Sequence, residues 1–219
     1  MTPQIAPALG LQTGTMSESS RLFSLWTNPA RTFQDIAQRP TFLIPLILST
    51  LTAIAYATST SRSLPITEVE ALQTVTGTAA GVLLQCVLAA AVLTLVAARV
   101  YSAPVPFQRL LAIVSYSMLP GAVIGLFAVI LIKFQLAAGM APHSPIATNL
   151  AAFLDPNQTS RFLYSLANSA DIVVLWEIAL IAQGLRVASR GRLSNATALR
   201  AVLFPWAIFV IGKAAVLVQ

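Results

Sequence analysis

Between Thr76 and Ala98 the chain reads TGTAAGVLLQCVLAAAVLTLVAA, a run without a single charged residue. The hydrocarbon core of a bilayer, about 30 Å thick, is crossed by roughly 20 apolar residues in a helix, so this stretch is predicted to span a membrane. Four other stretches fit the same template: Thr41–Thr60, Arg109–Ile132, Ala170–Ala188 and Leu199–Val218. None shows the period-2 alternation of a membrane strand, and each exceeds barrel-strand length. A helix satisfies its own backbone hydrogen bonds in lipid. The expected fold is therefore all-α: an integral membrane bundle of five transmembrane helices forming one domain over residues 21–219, preceded by a disordered tail over 1–20.

Composition points the same way. Of 219 residues 57% are hydrophobic and 9% charged, with a mean hydropathy of +0.79. Soluble domains carry about 25% charged residues. The 13 Lys+Arg and 7 Asp+Glu residues are too few to coat a soluble globule. A soluble enzyme and a secreted disulfide scaffold are excluded, and Cys86, the single cysteine, supports neither a disulfide nor a cysteine metal site. The net charge of +6 is scattered between apolar runs, which argues against nucleic acid as a partner.

Ahead of the first span, Met1–Ser20 is rich in Thr, Pro, Ser and Gly and lacks the basic start and apolar core of a secretory signal. Asn28-Pro29 then supplies an N-cap and a first-turn proline, and Pro40 stops the pattern. Phe33, Ile36 and Ala37 fall on one helical face between them. This reads as a short amphipathic helix on the membrane surface, with Phe23 and Trp26 as interfacial anchors; a polar linker is the alternative. In the long connection Lys133–Ser169, Ile146, Leu150, Phe153 and Leu154 keep helical spacing. A small amphipathic helix and a disordered loop are both compatible with it. Asn157-Gln158-Thr159 matches a glycosylation sequon, a triplet common by chance.

Basic residues set the expected orientation. Arg21, Arg31, Arg39, Arg99, Arg109, Arg186, Arg190, Arg192 and Arg200 fall on one side, and Arg62, Lys133, Arg161 and Lys213 on the other. The nine-to-four split predicts a cytoplasmic amino terminus and an external carboxyl terminus in a cell (inner or plasma) membrane.

Within the spans, Glu177 and Lys213 are the two ionisable residues that matter. An ionised carboxylate at such depth is expensive. Because the fourth and fifth spans run antiparallel, Lys213 lies at nearly the same level and is the expected partner. The pair reads as an ion pair locking two helices, as a snorkelling Lys213 with a protonated Glu177, or as part of a proton- or ion-coupled pathway. Pro45, Pro120 and Pro205 are expected to kink the first, third and fifth spans. Gly77-x-x-x-Gly81 and Gly121-x-x-x-Gly125 have the spacing for close helix approach, expected inside the monomer ahead of a dimer contact. Catalytic constellations are absent: His143 is the only histidine and no Walker-type loop exists. No enzyme activity, catalytic residue, metal site or cofactor is expected.

With the spans in place, three motifs resemble the Yip (Ypt-interacting protein) domain family, especially its prokaryotic branch. They are N-P-A-R-T-F-Q-D-I-A-Q-R-P, with Pro29, Phe33 and Pro40; S-Y-S-M-L-P-G, with Tyr116 and Pro120; and D-I-V-V-L-W-E-I-A-L-I-A-Q-G-L, with Asp171, Trp176 and Gly184. A basic loop and Phe204-Pro205-Trp206 in the fifth span complete the order. The resemblance implies a five-helix membrane bundle with a cytoplasmic amino terminus. Eukaryotic members bind small Rab-type GTPases, but this chain carries no D-L-Y-G-P segment of their kind, so that property is not carried over.

The functional expectation is a non-enzymatic multi-pass membrane scaffold or adaptor. Its partners would be the lipid bilayer and an unidentified protein, with homo-oligomerisation left open. Arg186, Arg190, Arg192 and Arg200 form a basic loop that would hold anionic headgroups, or serve simply as a topology signal. The competing expectation is a transporter or channel component built on Glu177 and Lys213.

Overall fold

The computed structural model describes residues 16–61, 67–140 and 146–216. Nine α-helices run through them: α1 (Glu18–Thr27), α2 (Pro29–Gln38), α3 (Leu43–Ser61), α4 (Glu68–Leu95), α5 (Phe107–Ser117), α6 (Leu119–Ala137), α7 (Arg161–Ser169), α8 (Ile172–Ala188) and α9 (Asn195–Val216). A π turn (Val96–Val100) extends α4, and a 3₁₀ turn (Leu150–Phe153) precedes α7. Among the described residues there is no strand.

Local chemistry explains where the helices start and stop. Thr67 and Glu70 form a reciprocal capping box, so α4 begins two turns before the expected Thr76. At its far end the Ala103 N–H donates to Ala97 O at 2.8 Å and closes the π-turned extension. Asn28 caps α2 through Arg31 N at 3.2 Å, with Pro29 in its first turn. Asp171 Oδ1 accepts from Val173 N at 2.7 Å to cap α8, and its Oδ2 accepts from the Thr148 hydroxyl at 2.5 Å. Arg190 (φ 56°) and Gly191 (φ 76°) turn the chain sharply from α8 into α9.

Four helical runs are long and apolar enough to cross a membrane: Leu43–Thr60, Glu68–Val100, Phe107–Ala137 and Asn195–Val216. The expected fourth span is a helix too, but α8 has 17 residues, about 25 Å at 1.5 Å per residue. The expected third span is broken at Met118 into α5 and α6, with Pro120 in the first turn of α6. Pro45 likewise sits in a first turn, that of α3, where its missing N–H costs nothing. Pro205 alone lies inside an uninterrupted helix.

Two further expectations need correction. The helix α1 starts at Glu18, inside the stretch assigned to the tail; residues 1–15 lie outside the described residues. Ile146, Leu150, Phe153 and Leu154 do not build an amphipathic helix. Only a 3₁₀ turn forms there, held by Leu150 N donating to Ala170 O at 3.1 Å and Ile172 N to Thr148 O at 3.0 Å, and Phe153 points outward, 86% exposed. The helix of that connection is α7, started by Ser160 accepting from Leu163 N at 3.3 Å.

α3 packs between α4 and α6, α4 also lies on α5, and α8 contacts α2, α5, α6 and α9. Small residues set the closest approaches. A Cβ on Gly125 would lie 3.1 Å from Thr52 Cγ2 of α3. One on Gly184 would lie 2.4 Å from Ile113 Cγ2 and 3.2 Å from Phe33 Cδ1, so α2, α5 and α8 converge on that glycine. Phe33 and Ile36 are fully buried there: the apolar face of α2 is part of the core. Outward rows including Leu51, Leu84, Phe127 and Phe204 stay exposed, the inverse of a soluble protein.

Gly184→Ala is expected to destabilise the fold by about 1–3 kcal/mol, because Ile113 is β-branched and cannot swing its methyl aside. Gly212→Ala, with nothing within 4 Å of the added methyl, leaves stability unchanged or slightly raised. Melting of the two variants in detergent micelles checks the contrast.

Candidate functional site

The most polar assembly among the described residues sits where the α1–α2 hairpin meets the bundle. Serine at position 17 caps α1 through Ser20 N at 3.2 Å, and the first helical turn then presents Glu18 and Arg21 on one side. Arg21, 2% exposed, donates from Nε to Asp35 Oδ2 at 2.6 Å and from Nη1 to Glu18 Oε1 at 2.9 Å. Its Nη1 also donates to the Thr41 hydroxyl at 2.6 Å, which donates onward to Glu18 Oε1 at 2.5 Å. The Tyr116 hydroxyl of α5 donates to Glu18 Oε2. Asp35 Oδ1 takes the Met16 N–H at 3.3 Å. One guanidinium thus ties α1, α2, the start of α3 and α5 together.

Electrostatics favour the charged forms. Burial raises the Glu18 carboxyl, but hydrogen bonds from Thr41 and Tyr116 and the Arg21 charge outweigh it, leaving the group below its ordinary value. Burial works against the Arg21 guanidinium, yet its bond to Asp35 and the two carboxylates more than restore it. The cluster holds two carboxylates against one guanidinium, a pattern that suits docking of one element on another. At the other end of α1, the Trp26 and Trp176 rings meet edge to face, with centroids 5.1 Å apart and planes at 83°, a geometry worth about 0.5–1.5 kcal/mol.

Sequence reasoning placed Tyr116, Trp26 and Trp176 among notable residues but missed Glu18, Arg21, Asp35 and Thr41 as a unit. The available signal was the acidic–basic spacing of Glu18 and Arg21 on one helical face.

The expected Glu177–Lys213 pair does not form. Glu177 faces α6, where its Oε1 accepts from Gly121 N at 3.2 Å. That N–H lies in the first turn of α6, just after the helix break, where donors lack intrahelical partners. A Cβ on residue 121 would lie 2.5 Å from the same oxygen, so glycine is what admits the carboxyl. Lys213 instead donates to Ser169 Oγ of α7 at 2.7 Å. Equal depth brought the two residues to one level, but they look toward different neighbours.

The remaining expected residues are placed as follows. Asp171 and Pro29 act as cap and first-turn residue, Phe33 and Gly184 pack together, Pro40 follows the end of α2, and Pro120 marks the break before α6. Arg190, Arg192 and Arg200 are exposed. Arg186 lies in the last turn of α8, its Nε buried without a hydrogen-bond partner. Among the described residues no cluster of His, Cys, Asp or Glu could hold a metal ion.

Two outcomes follow. Arg21→Met leaves two carboxylates facing each other and is expected to release the α1–α2 hairpin, at a cost of about 3 kcal/mol, seen as loss of amide hydrogen-exchange protection in α1 and α2. The pH dependence has a definite sign: with its folded pKa depressed, Glu18 contributes fully above the ordinary carboxylate value of 4.5, and this is lost as pH falls through the lower folded value. Hairpin protection therefore drops on acidification, and less steeply in Glu18→Gln. Separately, Glu177→Gln keeps an acceptor for Gly121 N and melts near wild type, whereas Glu177→Leu orphans that donor and loses about 1–3 kcal/mol.

No curated protein and no solved structure matches the chain. The model of the Yip1 domain family matches residues 23–216, which takes in α2 through α9 and the second half of α1. With that match spanning nearly the whole chain, and its helices long and apolar enough to cross a membrane, the protein belongs to the Yip1 domain family.

Proposed function

We propose that this protein is a non-enzymatic, five-span scaffold or adaptor of the cell membrane, of the prokaryotic branch of its family, and that the α1–α2 hairpin is its partner-facing element. The observation that carries the reading is the charge cluster on Arg21, which fixes the hairpin to the bundle while leaving its far side open. On that far side Phe23 is 78% exposed, and a groove of about 980 Å³ runs along α1 past Ser19, Ser20, Trp26 and Arg31. A large aromatic beside a polar groove, held by a rigid mount, suits recognition of another protein.

α8 serves as the fourth of five spans in this reading. Its 17 residues run antiparallel to α9 and cross a thinned bilayer or tilt little. The excess of arginines at the hairpin end of the bundle supports a cytoplasmic position for that end and for the amino terminus. The α8–α9 turn lies at the same end, since Gly184 near it touches Phe33 of α2. Exposed Arg190, Arg192 and Arg200 then face anionic headgroups at about 1 kcal/mol each. A transport role has less support, because Glu177 and Lys213 each serve a separate neighbour.

A photo-cross-linking amino acid at Phe23, introduced into the full chain in native membranes, is expected to capture a discrete protein adduct, and Phe23→Asp in the same chain to weaken co-purification of that protein. Labelling of lipid alone, or an adduct that persists unchanged in Arg21→Met, would sink the proposal.

A further inference from the structure

α4 has two faces of opposite character. Cys86, Ala90, Leu93 and Ala97 are buried in the bundle. The Cys86 thiol meets Ser115 Oγ of α5 at 3.2 Å, and that hydroxyl donates in turn to Leu111 O at 2.8 Å. The opposite stripe carries Gly77, Gly81, Gln85, Leu88 and Val92, at helical spacing. A Cβ on Gly77 or Gly81 would meet nothing within 4 Å, whereas Gly121 and Gly125 are both closed by neighbours within the chain. The internal use expected for the first glycine pair is therefore not realised; the second pair has it.

Gln85 is the telling residue. It is exposed, and it sits midway along the apolar run Glu68–Val100, about 25 Å from either end. Threonines of the same helix return their hydroxyls to its own carbonyls: Thr74 to Glu70 O, Thr76 to Leu72 O and Thr94 to Ala90 O. The Gln85 carboxamide makes no such bond. Lipid tails offer it neither donor nor acceptor, and an unmet amide in hydrocarbon costs several kcal/mol.

We propose that this stripe of α4 is a homodimer interface, in which two copies cross at Gly77 and Gly81 and pair their Gln85 carboxamides. A carboxamide is self-complementary, with NH₂ donors and a C=O acceptor, so a two-fold axis between parallel α4 helices satisfies both side chains reciprocally. The glycines remove the side-chain bulk that would keep the backbones apart, and Leu88 and Val92 extend the contact beyond the polar pair. A second copy is favoured over a different protein because one residue type at one depth meets its own need, with no second sequence required. The inference does not depend on the hairpin's role.

The test uses the full chain in liposomes, with copies carrying a donor or an acceptor fluorophore at the carboxyl end and association read by energy transfer as lipid is diluted. Wild type is expected to show a reversible dimer. Gln85→Leu, which suits a lipid-facing position and should fold normally, lowers the association constant about tenfold, and Gly81→Ile lowers it further. If Gly81→Ile fails to insert, the Gln85→Leu result decides. Wild type that stays monomeric at every protein-to-lipid ratio overturns the proposal and assigns the face to another membrane protein; Gln85→Leu associating like wild type overturns it as well.

Discussion

Inside an apolar bundle every backbone donor that loses its helical partner must be given another, and that demand organises the centre of this protein. The chain breaks its long third apolar run at Met118, Pro120 removes one donor, and Gly121 is left with an N–H facing α8. Glu177 answers it. The arrangement requires three residue types at once: a proline to start the new helix, a glycine to let the carboxyl approach, and an acid on the facing helix. On either side of this junction α5 contacts α2 of the N-terminal hairpin, while α6 lies alongside α3.

The hairpin is held by complementary means at its two sides. On the bundle side, apolar packing around Gly184 supplies area, and the Arg21 network supplies register. Ion pairs of this kind contribute little net energy against an apolar alternative. Their effect is specificity: only one placement of α1 and α2 gives Arg21 both carboxylates together with Thr41, and gives Glu18 the Tyr116 hydroxyl. A helix pair merely floating on a membrane surface would leave Phe33 and Ile36 in contact with lipid. Here both are sealed in protein, so the hairpin is a built-in part of the domain with one outward face.

Much of this was legible locally. Asn28-Pro29 and the apolar runs announce their helices because the chemistry involved lies within a few residues, whereas the Thr67–Glu70 capping box, equally local, was passed over and α4 was expected to start at Thr76. The face shared by Phe33 and Ile36 was legible too, although periodicity does not say whether it meets lipid or protein. The Arg21 network was not legible, since Tyr116 lies 98 residues from Glu18 and Asp35 lies 14 from Arg21. The Glu177–Lys213 expectation failed for a related reason. Counting residues along antiparallel helices fixes depth, but the direction in which each side chain leaves its helix depends on how that helix is rotated against its neighbours.

The sequence by itself determined the all-helical architecture, the apolar runs and the family, because bilayer thickness and helical rise convert directly into a length of uncharged chain. Tertiary structure decided which polar residue meets which, which glycine pair is filled and which is left open, and that α2 belongs to the core. Those outcomes depend on helix rotation and crossing, which are set by the summed packing of many side chains and leave no mark in any single stretch of sequence.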